Sequence, residues 1–242
     1  YIGKGNLQFD DRTEAAGVTG GGRWCTGVSV VDINNDGWQD IFTLDMLPKD
    51  NKRQKLLYAP DNFEVYNNTV DNGFHHQLMR NMLHLNNGNG TFSEIGQLAG
   101  ISNTDWSWSA LFADYNNDGL KDIFVLRGAW KETFGKEPNS LLRNNGDGTF
   151  TDVTHSSGFI SIYPTQTATW ADFNNDGLQD LFFAGSMVSS KLYINKGNFQ
   201  FEDITERAGL QTDQWCTGVT VVDINNDGFQ DIYVSSSHSA NA

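Results

Sequence analysis

The chain has 242 residues, 38% hydrophobic and 12% aromatic, which is enough to build a buried core in one large or two ordinary domains. Its formal net charge of −14 argues against a nucleic-acid partner, because a grip on phosphates depends on clustered Lys and Arg that release counterions. Two cysteines exclude a disulfide-stapled scaffold, and no apolar run reaches the roughly 18 residues that would cross a bilayer as a helix, so no transmembrane segment is expected.

In chain order, the first readable element is "YIGKGNLQFDDRTEAAGV" at 1–18, which returns as "YINKGNFQFEDITERAGL" at 193–210. "WCTGVSVVDINNDGWQDI" from Trp24 returns as "WCTGVTVVDINNDGFQDI" from Trp215. Self-similarity over such distances marks stacked or circular arrays. Between the copies lie "FADYNNDGLKDIFVLR" from Phe112 and "WADFNNDGLQDLFFAG" from Trp170, so one acidic loop occurs four times, with its first Asp at 32, 114, 172 and 223. The last two spacings, 58 and 51 residues, set the repeat unit; the first, 82, is longer and places an insertion at about 46–77.

Each loop is entered from and left into a run of 4 to 7 apolar residues, β-branched and aromatic, bounded by Gly, Asn and Asp. That pattern reads as strand, not helix. A second strand pair follows in each full unit, in "NMLHLNNGNGTFSEIGQLAGI" (81–101), "SLLRNNGDGTFTDVTHSSGF" (140–159) and "KLYINKGNFQFEDITERAGL" (191–210). In the first two, Asn-Gly supplies the positive φ of a tight hairpin. Continuous apolarity, as in "DLFFAG", implies strands covered on both faces. These features predict an all-β chain, a β-propeller of four-stranded blades with the acidic loop between first and second strands. We expect a single domain over 1–242. The absence of an initiator Met or signal peptide before Tyr1, the half unit before Trp24 and the unfinished last unit predict a partial ring of about four blades, cut from a longer chain.

Every loop reads D-x-N-N-D-G-x-x-D. Positions 1, 3, 5 and 9 place side-chain oxygens at Asp32, Asn34, Asp36 and Asp40; Asp114, Asn116, Asp118 and Asp122; Asp172, Asn174, Asp176 and Asp180; and Asp223, Asn225, Asp227 and Asp231. Position 7 adds a backbone carbonyl, from Trp38, Leu120, Leu178 and Phe229. Such a set of hard oxygens suits Ca²⁺ better than Zn²⁺ or a softer metal, and about four calcium sites are expected. Gly37, Gly119, Gly177 and Gly228 at position 6 allow the sharp turn. Without a cation, three neighbouring carboxylates repel one another. Metal-free polar turns are the plainer alternative for one copy, but four copies with every ligand position kept favour the ion. An EF-hand requires Glu at position 12 and helical flanks; here position 12 is Thr43, Val125, Phe183 and Val234, and the flanks read as strands.

With the hairpin loops and the "NNGxGTFxD" turns, the chain resembles the FG-GAP/VCBS repeats of integrin-α-type β-propellers. Through "NNGNGTFSEIGQLAGISNTDWSWSALFADYNNDGLKDIFV" it is similar to bacterial ASPIC/UnbV-associated proteins and the related cartilage acidic protein family. The resemblance implies a calcium-bound propeller outside the cytoplasm, and the insertion departs from the generic repeat. Many relatives carry a label of RNA binding, which this acidic composition does not support.

Further candidates have plain explanations. Cys25 and Cys216 hold equivalent positions and are expected as buried free thiols, since positions several blades apart exceed the reach of a disulfide. Trp24, Trp106, Trp108, Trp170 and Trp215 are expected to pack at the core or rim, sugar stacking being the rival role. His75 and His76, near Asp71, lack a third metal-binding partner in sequence. The insertion concentrates Lys49, Lys52, Arg53 and Lys55, with a short helix in "NKRQKLLYA"; so long a connection is commonly functional, and we expect the ligand contact there, its plainer role being a lid over its own blade.

The expected function is a non-enzymatic, calcium-stabilised binding module for a protein or carbohydrate ligand. It is expected outside the cell or at its surface, the bacterial outer membrane exterior being the favoured place. One rival, an accessory subunit of a bacterial outer-membrane nutrient-uptake complex, rests on family analogy. The other, a propeller-based polysaccharide-active enzyme, lacks a G-x-S-x-G, an H-E-x-x-H or a nucleophile with a nearby base.

Overall fold

The computed structural model describes residues 1–20, 22, 24–56, 63–128, 138–159, 165–185, 189–211 and 214–237. The chain divides into two compact units, Tyr1–Asp105 and Trp106–Ala242.

The first unit opens with a hairpin of β1 (Ile2–Gly5) and β2 (Gln8–Asp10), turned through Asn6 and Leu7 at φ of 50° and 60°. A single helical turn, α1 (Thr13–Ala16), follows and ends on Gly17 in the left-handed region. An antiparallel sheet comes next, ordered β3 (Gly27–Val31), β4 (Asp40–Leu44), β5 (Met82–Asn86) and β6 (Phe92–Glu94). Between β4 and β5 the insertion carries α2 (Asn51–Leu56), within the helix expected over 51–59, of which 57–59 lie outside the described residues, and α3 (Phe63–Asp71), which the periodicity of the sequence did not disclose.

The second unit holds two more four-stranded meanders. One runs β7 (Ser107–Ala113), β8 (Asp122–Arg127), β9 (Ser140–Asn144), β10 (Phe150–Asp152); the other runs β11 (Thr165–Ala171), β12 (Asp180–Gly185), β13 (Lys191–Asn195), β14 (Phe201–Asp203). A two-stranded sheet of β15 (Trp215–Val222) and β16 (Asp231–Ser237) follows. Three first strands share a register shift at the same point, Ser107/Ser109, Thr165/Thr167 and Cys216/Gly218, a bulge that adds local twist.

Strand β12 shows why its sequence is continuously apolar. Leu181 and Phe183 enter one cluster, with Tyr115, Phe124, Leu126 and Leu141 of the preceding sheet. Phe182 and Ala184 alternate to the other face and meet Cys216, Val219 and Val234 of the following one. Period-2 alternation thus buries both faces, as stacked blades require. Aromatic pairs fill the first interface: Trp170 lies 4.0 Å from Tyr115 and Phe159 4.2 Å from Phe201, centroid to centroid. The four-stranded antiparallel blades, stacked face to face within the second unit, make this a partial β-propeller.

Both cysteines are free, as expected, but only Cys216 is buried; Cys25 is exposed, at a φ of 35°. The expected burial fails at Cys25 because the first-strand pairing begins only at Gly27. The tryptophans also divide: Trp170 is packed in the interface, whereas Trp24 stands 60% exposed.

Candidate metal centre

All four acidic loops join the first and second strands of a sheet, β3 to β4, β7 to β8, β11 to β12 and β15 to β16. Each has the same backbone. Asn35, Asn117, Asn175 and Asn226 at position 4 adopt φ of 56° to 58°, and the position 6 glycines adopt 85° to 88°. Asn tolerates the left-handed region better than most side chains and Gly enters it freely, so two such residues two apart curl the loop.

The side chains repeat as faithfully. Asp114 accepts hydrogen bonds from the Asp118 and Gly119 amides at 3.1 and 2.8 Å. The Asn116 amide donates to Asp118 Oδ2 at 2.8 Å, and Asp118 Oδ1 accepts from Leu120 N at 2.8 Å. Equivalent bonds join Asp32, Asn34 and Asp36 to the amides of Asp36, Gly37 and Trp38; Asp172, Asn174 and Asp176 to those of Asp176, Gly177 and Leu178; and Asp223, Asn225 and Asp227 to those of Asp227, Gly228 and Phe229. Among the described residues no three Asp, Glu, His or Cys side chains converge as a ready ion cluster, because the carboxylates are turned to these amides. A carboxylate offers about four lone-pair sites, so two accepted N–H bonds leave Asp114 and its equivalents room for a cation.

Position 9 does more than end the motif. Asp122 accepts from Tyr115 N at 3.1 Å and, through its other oxygen, from Asn144 N at 2.8 Å. Asp40 bridges Ile33 and Asn86 in the same way, and Asp180 bridges Phe173 and Asn195. The carboxylate therefore ties the start of its loop to the end of the third strand. Among the described residues Asp231 keeps only the first of these bonds, to Ile224 N. Asp40, Asp122 and Asp180 are fully buried. Burial drives the Asp122 carboxyl up to about 7 and Asp180 to about 6, against the lowering by their backbone donors, and raises Asp40 as well.

The sequence reading overlooked two sets of asparagines. Asn86, Asn144 and Asn195 close the third strands, and each side-chain amide donates to the residue before the position 9 Asp: Gln39, Lys121 and Gln179. Their signal was present, an Asn two residues before the first glycine of each second hairpin. That glycine is needed doubly at Gly88, which has a φ of 71° and would bring a Cβ to 2.9 Å from Trp38 Nε1. The second set links blades: Asn117 Nδ2 donates to Gly177 O at 3.5 Å and Asn175 Nδ2 to Gly228 O at 3.1 Å, so the position 4 amide of one loop meets the position 6 carbonyl of the next.

The insertion is docked at one end. Arg53 pairs with the buried carboxylate of Asp105, whose amide donates to Leu47 O at 2.9 Å, and Asn103 donates to Lys49 O at 2.8 Å. Lys49, Lys52 and Lys55 stay exposed. At the other end His75 and His76 lie across a cleft from Asp11 and Glu14.

This architecture of four-stranded blades, each carrying its acidic loop in the first hairpin, is that of repeat-built β-propellers. The chain belongs to the FG-GAP-like repeat family, whose model matches residues 60–125, 133–183 and 172–234. It is similar to cartilage acidic protein 1 of Mus musculus, 29% identical over 171 residues that cover 66% of this chain and 25% of that protein. The Homo sapiens protein of the same name is 28% identical over the same length and coverage. The chain thus spans a quarter of the length of these curated relatives. Among solved structures it is similar to an Agrocybe aegerita lectin reported for recognition of non-reducing terminal N-acetylglucosamine, at 20% identity and a TM-score of 0.46, covering 85% of this chain and 45% of that one.

Proposed function

We propose that the chain is a calcium-stabilised, non-enzymatic binding module that works outside the cytoplasm and takes a protein or carbohydrate ligand. One observation carries this reading. Asp40, Asp122 and Asp180 are fully buried, each beside two more carboxylates of its own loop, and among the described residues no Lys or Arg forms an ion pair with any loop aspartate. Buried charges are ordinarily paired or bound to a metal.

The donors fit calcium. In each loop the carboxylates at positions 1, 5 and 9, the Asn oxygen at position 3 and the carbonyl at position 7 would hold it, and the ion supplies the missing counter-charge. Extracellular calcium modules bind at about 10⁻⁴ to 10⁻³ M, so loops of this kind fill outside cells. Rigid sheets that present loops suit ligand binding, and no described helix is long and apolar enough to cross a membrane.

The test is elemental analysis combined with thermal melting in calcium and in EDTA. Bound calcium and a melt lowered by the chelator are expected. A melt indifferent to EDTA, in protein that holds no calcium, would remove the reading.

A further inference from the structure

A cleft of about 680 Å³ opens in the first unit, lined by Asp11, Thr13, Glu14, Ala15 and Thr19 on one side and Gly73, Phe74, His75 and His76 on the other. Its second wall is the far end of the insertion. The C-terminus of α3 is closed by Gly73 at a φ of 82° and by Phe74 N donating to Thr69 O at 3.1 Å, which turns the chain back at Phe74. Gly20 reinforces the junction: a Cβ there would come within 3.0 Å of His76 O and 3.2 Å of His75 Nδ1.

The polar groups are of mixed kind. Asp11 accepts through Oδ1 from Thr13 N at 2.9 Å and is bonded by the Thr13 side chain as well, and its exposed carboxylate keeps further lone pairs for a ligand. His76 is held through Nδ1 by the Tyr66 hydroxyl at 2.6 Å, and His75 packs edge-on against it at 5.4 Å. The Nε2 of His76 therefore remains to bond outward. Phe74 is 62% exposed at the same wall, an apolar face that a folded chain leaves in water only at some cost.

We propose that this cleft takes a neutral pyranose unit of a glycan, a step that rests on reading the chain as a binding module. The volume lies within the roughly 300–1,000 Å³ of small-ligand sites. Carboxylates accept from hydroxyl groups, imidazole nitrogens donate or accept, and an exposed aromatic ring covers the C–H face of a sugar. An anionic ligand would meet Asp11 and Glu14. A cationic one would pair with Asp11 and Glu14 alone, leaving the wall of His75 and His76 unused, and is the rival that the tetralysine competitor tests. A polyhydroxylated neutral ligand satisfies both walls.

The experiment is saturation-transfer difference NMR on the full chain in calcium, with glucose, galactose, mannose and xylose as separate probes and a tetralysine peptide as competitor. We expect transfer to at least one pyranose. Phe74→Ala and Glu14→Gln should each weaken it about tenfold or more, while Phe63→Ala, at an exposed ring of α3 outside the cleft, should leave it unchanged. All three positions are exposed, so the melting temperature should not move, and a retained melt shows that lost binding is not lost folding. Absence of transfer from every sugar in folded, calcium-bound protein overturns the proposal. So does transfer that survives both cleft variants, or tetralysine that binds the cleft where no sugar does. Sugar binding in protein whose melt ignores EDTA would support this cleft while defeating the calcium reading.

Discussion

Residues 24–41 and 215–232 carry the same eighteen-residue pattern, altered only where Ser29 faces Thr220 and Trp38 faces Phe229, yet they are buried in opposite places. Ile33 is 3% exposed and its counterpart Ile224 65%. Cys25 is exposed while Cys216 lies in a cluster with Phe182 and Leu192. Asp40 is fully buried and Asp231 is only half-buried. The two loops share every internal hydrogen bond, so the loop conformation is local. Burial is not: it comes from the strands around the loop, above all from the third strand, whose Asn86 covers Asp40 and has no described counterpart at Asp231. A blade's acidic loop is therefore one object to its own backbone and another to its neighbours.

The largest expected break in this comparison is chelation, which acts on all four loops. At a calcium concentration 100 times the dissociation constant, each site adds about 2.7 kcal/mol. For a domain of this size about 1 kcal/mol moves the melt by roughly 2–4 °C, so removing the ion should lower the melting temperature by about 5–10 °C for each site lost. Differential scanning calorimetry with and without EDTA reads this.

Next in size is a substitution that separates the two roles of position 9. In metal-free protein, Asp122→Asn turns an amide N–H₂ toward one of the two backbone donors, Tyr115 N or Asn144 N, leaving buried groups unsatisfied at about 1–3 kcal/mol. Asp231→Asn has one such bond to disturb in a partly exposed site and should cost well under half as much. Equal losses by urea denaturation would show that the third strand is not what distinguishes them.

Much of this was legible in the sequence, for a physical reason. The conformation of the acidic loops, the hairpin turns and the insertion depend on fixed local spacing, and the D-x-N-N-D-G-x-x-D pattern states its backbone geometry in nine residues. Continuous apolarity in "DLFFAG" disclosed two buried faces because strand period alone decides which side each residue takes. What the sequence concealed depends on partners distant along the chain. Cys25 and Cys216 are the same residue in the same pattern, and only packing tells them apart. Asn86, Asn144 and Asn195 stand just before the second hairpin turns, and nothing local reveals that their amides reach back to the loop. Helix α3 stayed hidden because "FEVYNNTVD" mixes β-branched residues and Asn, which are weak helix formers.

A smaller effect tests the chain of amides between loops. Asn175→Gly keeps the left-handed conformation, which glycine adopts freely, but removes the 3.1 Å bond to Gly228 O. It should cost about 1 kcal/mol. Asn226→Gly is the control, at a φ of 58° against 56° for Asn175 and with no described amide partner, and should cost only the small backbone-entropy penalty both share. If the two lose equally, the ladder holds nothing.

The smallest effect concerns sheet interiors rather than loops. His84 pairs with Ile41 in β4, the place held by Leu142 opposite Ile123 and by Tyr193 opposite Leu181 in the other blades. It is 3% exposed, and its Nδ1 is buried without a partner. Burial lowers its pKa, opposed by Glu94 and assisted by Arg80. A histidine with a depressed folded pKa is protonated first in the unfolded state, so its titration adds no cost above the ordinary value of about 6.5 and destabilises as pH falls below it. His84→Leu should therefore leave stability at pH 7.5 equal or slightly higher, and reduce the loss between pH 7 and pH 5. Parallel urea titrations at the two pH values read the difference, and an unchanged slope would mean that the imidazole takes up its proton alike in the folded and unfolded chains.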